Sequence, residues 1–245
     1  MSDLNPTTIP SEAERFLARA GAYRLLSRLF ADPVRSERVS RDDLALAIAA
    51  GEVLGEGGIR RAVARLQEVL PGESADIERM HTGLFGLLVN QEAPAYEVEY
   101  DPRTDLFWRT QQLADIAGFY RAFGVDLAVR DRPDHIAVEA EFLWYLLERQ
   151  AGAVIQGHDA DRKTLLKTAF RSFFSEHFGA WAASFARRLG RTARRRACPY
   201  FLAAADLLLA VESSERARLG VAESERRQAR PLPRAITAGC DGCRT

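Results

Sequence analysis

The sequence predicts an all-α fold, a single-domain helical bundle, on three observations. Apolar residues recur at three- and four-residue spacings along most of the chain, as in Phe16, Ala20, Tyr23, Leu26 and Phe30. Helix-start chemistry precedes such stripes, as where Ser11 stands three residues before Glu14. Strand patterning is missing: no run alternates apolar and polar residues with Val, Ile and Thr enrichment, and no Asn-Gly or Asp-Gly pair joins two such runs. At 245 residues the chain can bury one large core, and no break in composition divides it. No repeat of fixed period is present, which argues against a solenoid.

The elements follow in order. Ser11 and Glu14 open a first helix that Asp32-Pro33 ends, and Ser40-Arg41-Asp42-Asp43 starts a second that dissolves at Gly51, Gly55, Gly57 and Gly58. The third spans 59–70, closed by Pro71-Gly72. Ser74 caps a fourth that runs to about residue 88 with Met80, Leu84 and Leu87 inward. Beyond a loop holding Pro94 and Pro102, helices are expected over 104–123 and 133–150. In the first of these Leu113, Ile116, Ala117, Tyr120 and Phe123 share a face before Gly124. Further helices are expected over 164–178, with Leu165, Thr168, Ala169 and Phe173 inward, then over 181–189 and 199–212. Residues 1–10 read as a flexible start and 11–215 as the helical domain. Residues 216–245 read as a mostly disordered tail, because charges crowd, Pro231 and Pro233 interrupt and apolar periodicity is lost.

Composition narrows the class. Apolar residues make up 47% and charged residues 28%, as in soluble globular proteins. With 34 basic and 34 acidic side chains the net charge is zero, so no global field attracts nucleic acid or an anionic membrane, and such a partner would need a local patch. Met1 to Pro10 lack the basic and apolar regions of a secretory signal. No apolar run approaches the roughly 20 residues that cross a bilayer. Three cysteines, Cys198, Cys240 and Cys243, do not suggest a disulfide framework. The expectation is a cytoplasmic protein without stable membrane insertion.

Five constellations bear on function. Arg132-Pro133-Asp134-His135 stands at a helix start, where exposed amides favour an anionic Asp134 and a neutral His135, with Glu139 one turn further on. Residue types alone leave two readings, a peptide-binding cluster or a capping carboxylate beside a packing imidazole. Glu78-Arg79-Met80-His81 has the Glu-x-x-His spacing of helical di-iron sites. Those sites need the motif twice with two further glutamates, and one copy reads better as a boundary histidine. His158-Asp159, after Gly157, is a weak match to a metal-dependent phosphohydrolase pair. Cys240-Asp241-Gly242-Cys243 is half of a zinc or redox motif and reads as an exposed thiol pair. The run Arg187, Arg188, Arg191, Arg194, Arg195 and Arg196 reads as a solvated helix end rather than a nucleic-acid patch. No phosphate loop, nucleophile elbow or Cys/His nucleophile pattern occurs.

The segments Leu113-Ala-Asp-Ile-Ala-Gly-Phe-Tyr-Arg-Ala-Phe-Gly124, Arg132-Pro-Asp-His135 and Val138-Glu-Ala-Glu-Phe142 resemble the paired signature of the TorD/DmsD/NarJ chaperones. These are assembly chaperones for molybdenum-containing oxidoreductases. Tyr23 to Phe30 resembles the first helix of that family, Tyr96-Glu-Val-Glu-Tyr100 its loop before the signature, and His177 to Glu212 its closing helices. The resemblance covers about residues 12–213 and implies a cytoplasmic, all-helical bundle of the TorD-like type, not an enzyme. Such a chaperone binds the twin-arginine leader and the apo form of a catalytic subunit while the molybdenum cofactor enters. It needs no cofactor or metal of its own, and acts as a monomer or homodimer. A leader joins two arginines to an apolar stretch, so its receptor needs carboxylates beside an apolar groove. The expected peptide-binding residues are Tyr96, Glu97, Tyr100, Phe119, Tyr120, Arg132, Pro133, Asp134, His135 and Glu139, with Glu99 as further charge. Helical metalloenzymes using His81, His135 or His158, and non-catalytic scaffolds, are the competing classes.

Overall fold

The computed structural model describes residues 10–86, 92–103, 105–127 and 132–222. Among these residues the fold is all-helical, with no strand and a single antiparallel bridge between Tyr96 and His135.

α1 (Glu12–Phe30) opens with the expected capping box: the Ser11 hydroxyl accepts from the Glu14 N–H, and the Glu14 carboxylate accepts from the Ser11 N–H. Its stripe of Phe16, Ala20, Tyr23, Leu26 and Phe30 is buried, and so are Leu25 and Leu29, since α1 is covered on two sides. α2 (Arg41–Val53) is capped reciprocally by Ser40 and Asp43 and keeps Gly51, where helix loss was expected. α3 (Gly57–Glu68) turns Ile59, Ala62, Val63 and Leu66 inward. α4 (Ser74–Phe85) has Glu73 at its cap position with no side-chain bond, so Ser74 is its first residue and not its cap. Leu87 and the rest of 87–91 lie outside the described residues.

α5 (Leu106–Ala122) starts at Asp105, whose carboxylate accepts from the Trp108 N–H. α6 (Ile136–Ile155) begins three residues later than Pro133 implied, because residues 95–97 hold the segment before it extended: Glu97 N–H donates to Asp134 O at 2.9 Å and Ile136 N–H to Ala95 O at 3.0 Å. It outruns the expected end at Gln150 because Ala151 and Ala153 are also buried. It stops only at Gly157, whose φ of +66° favours glycine.

Two expected helices prove to be one continuous path. α7 (Ala160–Phe173), capped by Asp159, passes through a π-helical turn at Phe174–Phe178 into α8 (Gly179–Arg195). A Cβ on Gly179 would lie 2.8 Å from the Phe174 carbonyl oxygen, so only glycine fits inside this turn. The inward stripe of α7 is Leu166, Ala169, Phe170 and Phe173, and Leu165 and Thr168 face solvent. α9 (Pro199–Leu219) starts with Pro199 in its first turn and continues past Glu212 to Gly220, whose φ is +64°. The boundary expected after residue 215 falls within α9, because Glu212, Glu215 and Arg216 are buried. Arg216 donates to Glu212 at 2.6 Å, and Glu215 accepts two bonds from Arg19 of α1 at 2.8 and 3.0 Å. Residues 1–9 and 223–245, including Cys240 and Cys243, lie outside the described residues.

α1 packs between α6 and α2, α9 against α8 and α3, and α7 against α6. Tyr23, Phe30, Phe170, Phe173, Phe178, Trp181, Phe185 and Phe201 fill the centre. Burying such rings contributes roughly 2 to 3 kcal/mol each before chain entropy is set against it. No helix among the described residues is long and apolar enough to cross a membrane.

Candidate functional site

The loop before the signature meets the second signature segment where residues 95–97 lie against residues 134–136 at the start of α6. Glu97 opens a 3-10 turn (Glu97–Tyr100), and its carboxylate points inward. Gln112 of α5 donates to its Oε1 at 2.6 Å, and His177 Nδ1 from the π turn lies 3.2 Å from Oε2. Three chain regions therefore converge on one fully buried carboxylate.

Asp134 beside it is also fully buried. Arg132 grips it with two bonds of 3.0 and 2.8 Å, and the Val98 N–H adds a longer one at 3.3 Å. Burial pushes the Asp134 carboxyl above its ordinary range, and the Arg132 guanidinium offsets only part of that. The guanidinium also lies 4.0 Å above the Tyr96 ring. Tyr120 of α5 donates to Pro133 O at 2.7 Å, and burial raises its hydroxyl well above the usual tyrosine value.

His135, not an aspartate, caps α6: its Nδ1 accepts from the Ala137 N–H at 3.2 Å, which leaves the ring proton on Nε2. Burial, with smaller contributions from His81 and Arg132, lowers its pKa to about 4, so the ring is neutral as the cap requires. Glu139 is fully buried and accepts from the Trp181 indole at 3.0 Å.

These positions revise the expected site. Glu97, Asp134 and Glu139 are not groove carboxylates, because each is spent inside the bundle. Tyr100 is buried against Trp181 and Phe185, and half-buried Phe119 packs on Phe173 and His177. Glu99 stays partly exposed, 3.5 Å from Arg109. Of the expected residues, Tyr96, Arg132 and His135 reach a large cleft of about 770 Å³ beside α1, and Tyr120 reaches a smaller groove of about 410 Å³.

The smaller groove runs between the residues after α5 and the outer face of α6. Tyr120, Phe142, Trp144 and Tyr145 with Val125, Leu127 and Val138 make its wall, and the exposed Asp126, Glu141 and Glu148 make its rim. Val138, Glu141 and Trp144 line the large cleft as well, so the two depressions adjoin along α6. Glu141 and Glu148 stand seven residues apart, about 10 Å along the helix. Neither Trp144, Tyr145, Asp126 nor Glu148 was expected here. One signal in the sequence separates Glu141 from Glu139, since residues two apart on a helix face opposite ways.

The competing histidine sites do not assemble. His81 is half-buried between Phe85 and Phe201, His158 precedes the cap of α7, and no group of three His, Cys, Asp or Glu among the described residues could hold a metal ion.

Comparison with known proteins places the chain among named relatives. A family model described as nitrate reductase delta subunit matches residues 56–187. The selenate reductase assembly chaperone protein of Thauera selenatis is 38% identical over 82 residues, which is 33% of this chain and 41% of that protein. The chlorate reductase assembly chaperone protein of Ideonella dechloratans is 35% identical over 82 residues, with the same coverage. The match thus spans about two fifths of the length of each relative. With the family match extending over more than half of its length, from α3 to the middle of α8, the chain belongs to the nitrate reductase delta subunit family of NarJ/TorD-type chaperones.

Proposed function

We infer that this protein is a non-catalytic, cytoplasmic assembly chaperone. It holds the twin-arginine leader and the apo form of a molybdenum-containing oxidoreductase subunit while the cofactor is inserted. The names of the two relatives support a reductase as client. The observation that carries the leader reading is the groove on α6, where an aromatic wall is rimmed by three exposed carboxylates.

A leader arginine placed against Glu141, Glu148 or Asp126 forms charge-assisted bonds, each contributing about 1.5 to 3 kcal/mol where water is excluded. Its apolar stretch covers Trp144, Tyr145 and Phe142, in the manner of a helix laid into a groove. Tyr96, Arg132 and His135 extend the surface into the adjoining cleft. Glu97 and Asp134 act from beneath, by tying residues 97–98 to α5, the π turn and the start of α6, and Glu139 and Tyr100 by tying α6 and the 3-10 turn to α8. Calorimetric titration with the leader of a molybdopterin-dependent catalytic subunit from the same organism tests this reading. Micromolar or tighter binding that is lost when both arginines become alanine supports it, and no heat with any such leader refutes it.

A further inference from the structure

The arginine run of α8 lies apart from the depressions on α6, and its setting differs from that of a solvated helix end. We propose that the groove between α8 and α9 docks an acidic amphipathic helix of a partner protein. The groove holds about 540 Å³ and shares no lining residue with the two depressions on α6. Gly190, Leu202 and Leu209 form its apolar floor, and Arg187, Arg191 and Arg194 its rim.

Those three arginines are exposed, and among the described residues none has an ion pair or a side-chain hydrogen bond. Their neighbours differ: Arg195 and Arg196 lie 3.0 and 3.6 Å from Glu92, and Arg188 donates to the Glu92 carbonyl. The helix dipole accounts for cations in the last turn, where Arg194 and Arg195 stand. It does not reach Arg187 and Arg191, which lie about two turns and one turn earlier. Like charges at four-residue spacing cost the isolated helix a few tenths of a kcal/mol, so the row gains nothing in the free protein. Asp206, the acidic residue at the groove, is 2.6 Å from Arg65.

A positive edge beside a recessed aliphatic floor complements a helix with leucines on one face and glutamates along its flank. The row from Arg187 to Arg194 spans about 10 Å, two turns of such a helix. Residues 223–245 of this chain are a poor occupant by charge, with Arg226, Arg227, Arg230, Arg234 and Arg244 against Glu223, Glu225 and Asp241. Single-stranded nucleic acid would ask for aromatic platforms, and a lipid surface for apolar side chains that protrude.

The test uses the full chain and a designed, fluorescein-labelled helical peptide with leucines on one face and flanking glutamates. The wild type binds it, more weakly as salt rises. Combined Arg187→Glu, Arg191→Glu and Arg194→Glu substitutions weaken binding at least tenfold, and so does Gly190→Leu. A Cβ at Gly190 meets Ala205 and Leu202 only at ordinary contact distance, 3.8 Å, so the larger side chain fills the groove without breaking the helix pair. Both variants bind client leader as the wild type does, which shows that they are folded and separates this proposal from the leader reading. Absent binding by the wild type, equal binding by the variants, or tighter arginine-dependent binding to phosphatidylglycerol vesicles or to a single-stranded oligonucleotide overturns it.

Discussion

The polar cluster under the start of α6 and the groove on its outer face contain the same kinds of residue and treat them in opposite ways. In the cluster, Glu97, Asp134 and Glu139 are fully buried and bound by Gln112, His177, Arg132 and Trp181. In the groove, Asp126, Glu141 and Glu148 are exposed beside aromatic rings. Buried charge with its partners in place holds geometry, and its loss is felt as instability. Exposed charge beside an apolar wall costs the fold little and is open to a ligand.

The largest effect is therefore expected inside the cluster. Glu97→Ala leaves Gln112 and His177 facing a void and lowers unfolding free energy by about 3 to 5 kcal/mol, measured by urea denaturation. A change below about 1 kcal/mol would place Glu97 outside the structural set. Asp134→Asn keeps the shape, loses the ion pair with a half-exposed Arg132, and costs about 1 to 2 kcal/mol on the same measurement.

The groove should respond in the other currency. Glu141→Lys with Glu148→Lys shifts stability by no more than about 0.5 kcal/mol and weakens leader affinity at least tenfold, or about 1.4 kcal/mol.

A separate test of the cluster concerns pH. The His135 pKa is lowered from 6.5 to about 4 in the folded protein, so the unfolded chain binds the extra proton first. Its contribution to stability is complete above about 6.5 and is lost as pH falls toward 4. His81, lowered in the same direction by burial, adds to the slope. His135→Asn retains an acceptor at the cap position, so chemical denaturation at a series of pH values should show a shallower decline between 6.5 and 4. An unchanged decline would mean that other groups set it.

The helices were legible where caps and periodicity agreed. Ser11 with Glu14 and Ser40 with Asp43 mark their helices correctly, as does Pro199. Errors gathered where tertiary contacts overrule local chemistry. Pro133 looks like a helix start, yet pairing with residues 95–97 delays α6 to Ile136. Gly179 looks like a break, yet its missing Cβ lets a π turn run on into α8. In α7, Ala169 and Phe173 are buried as expected, but Leu165 and Leu166 are adjacent and periodicity alone does not choose between them.

For the site, the second signature segment lies at the start of α6, where its Asp134 and Glu139 are buried, and the exposed Glu141 and Glu148 of the neighbouring groove lie on the opposite face of that helix from Glu139. A motif made of charged residues reads as a surface, but Glu97 takes its partners Gln112 and His177 from 15 and 80 positions away, a pairing no local pattern discloses, and Asp134, though paired with Arg132 two residues before it, is buried by the loop at Val98, 36 positions away. Trp144 and Tyr145 lie outside the signature, and emerge as a wall only when α6 is set beside the residues following α5.

The most direct test of the account titrates one client leader, by calorimetry, into the wild type, the Glu141→Lys/Glu148→Lys variant and Asp134→Asn. The account predicts wild-type affinity for Asp134→Asn despite a lower melting temperature, and at least a tenfold loss for the doubly substituted groove at an unchanged one. Full affinity in the groove variant together with loss in folded Asp134→Asn would contradict it, and would return the contact to the buried cluster.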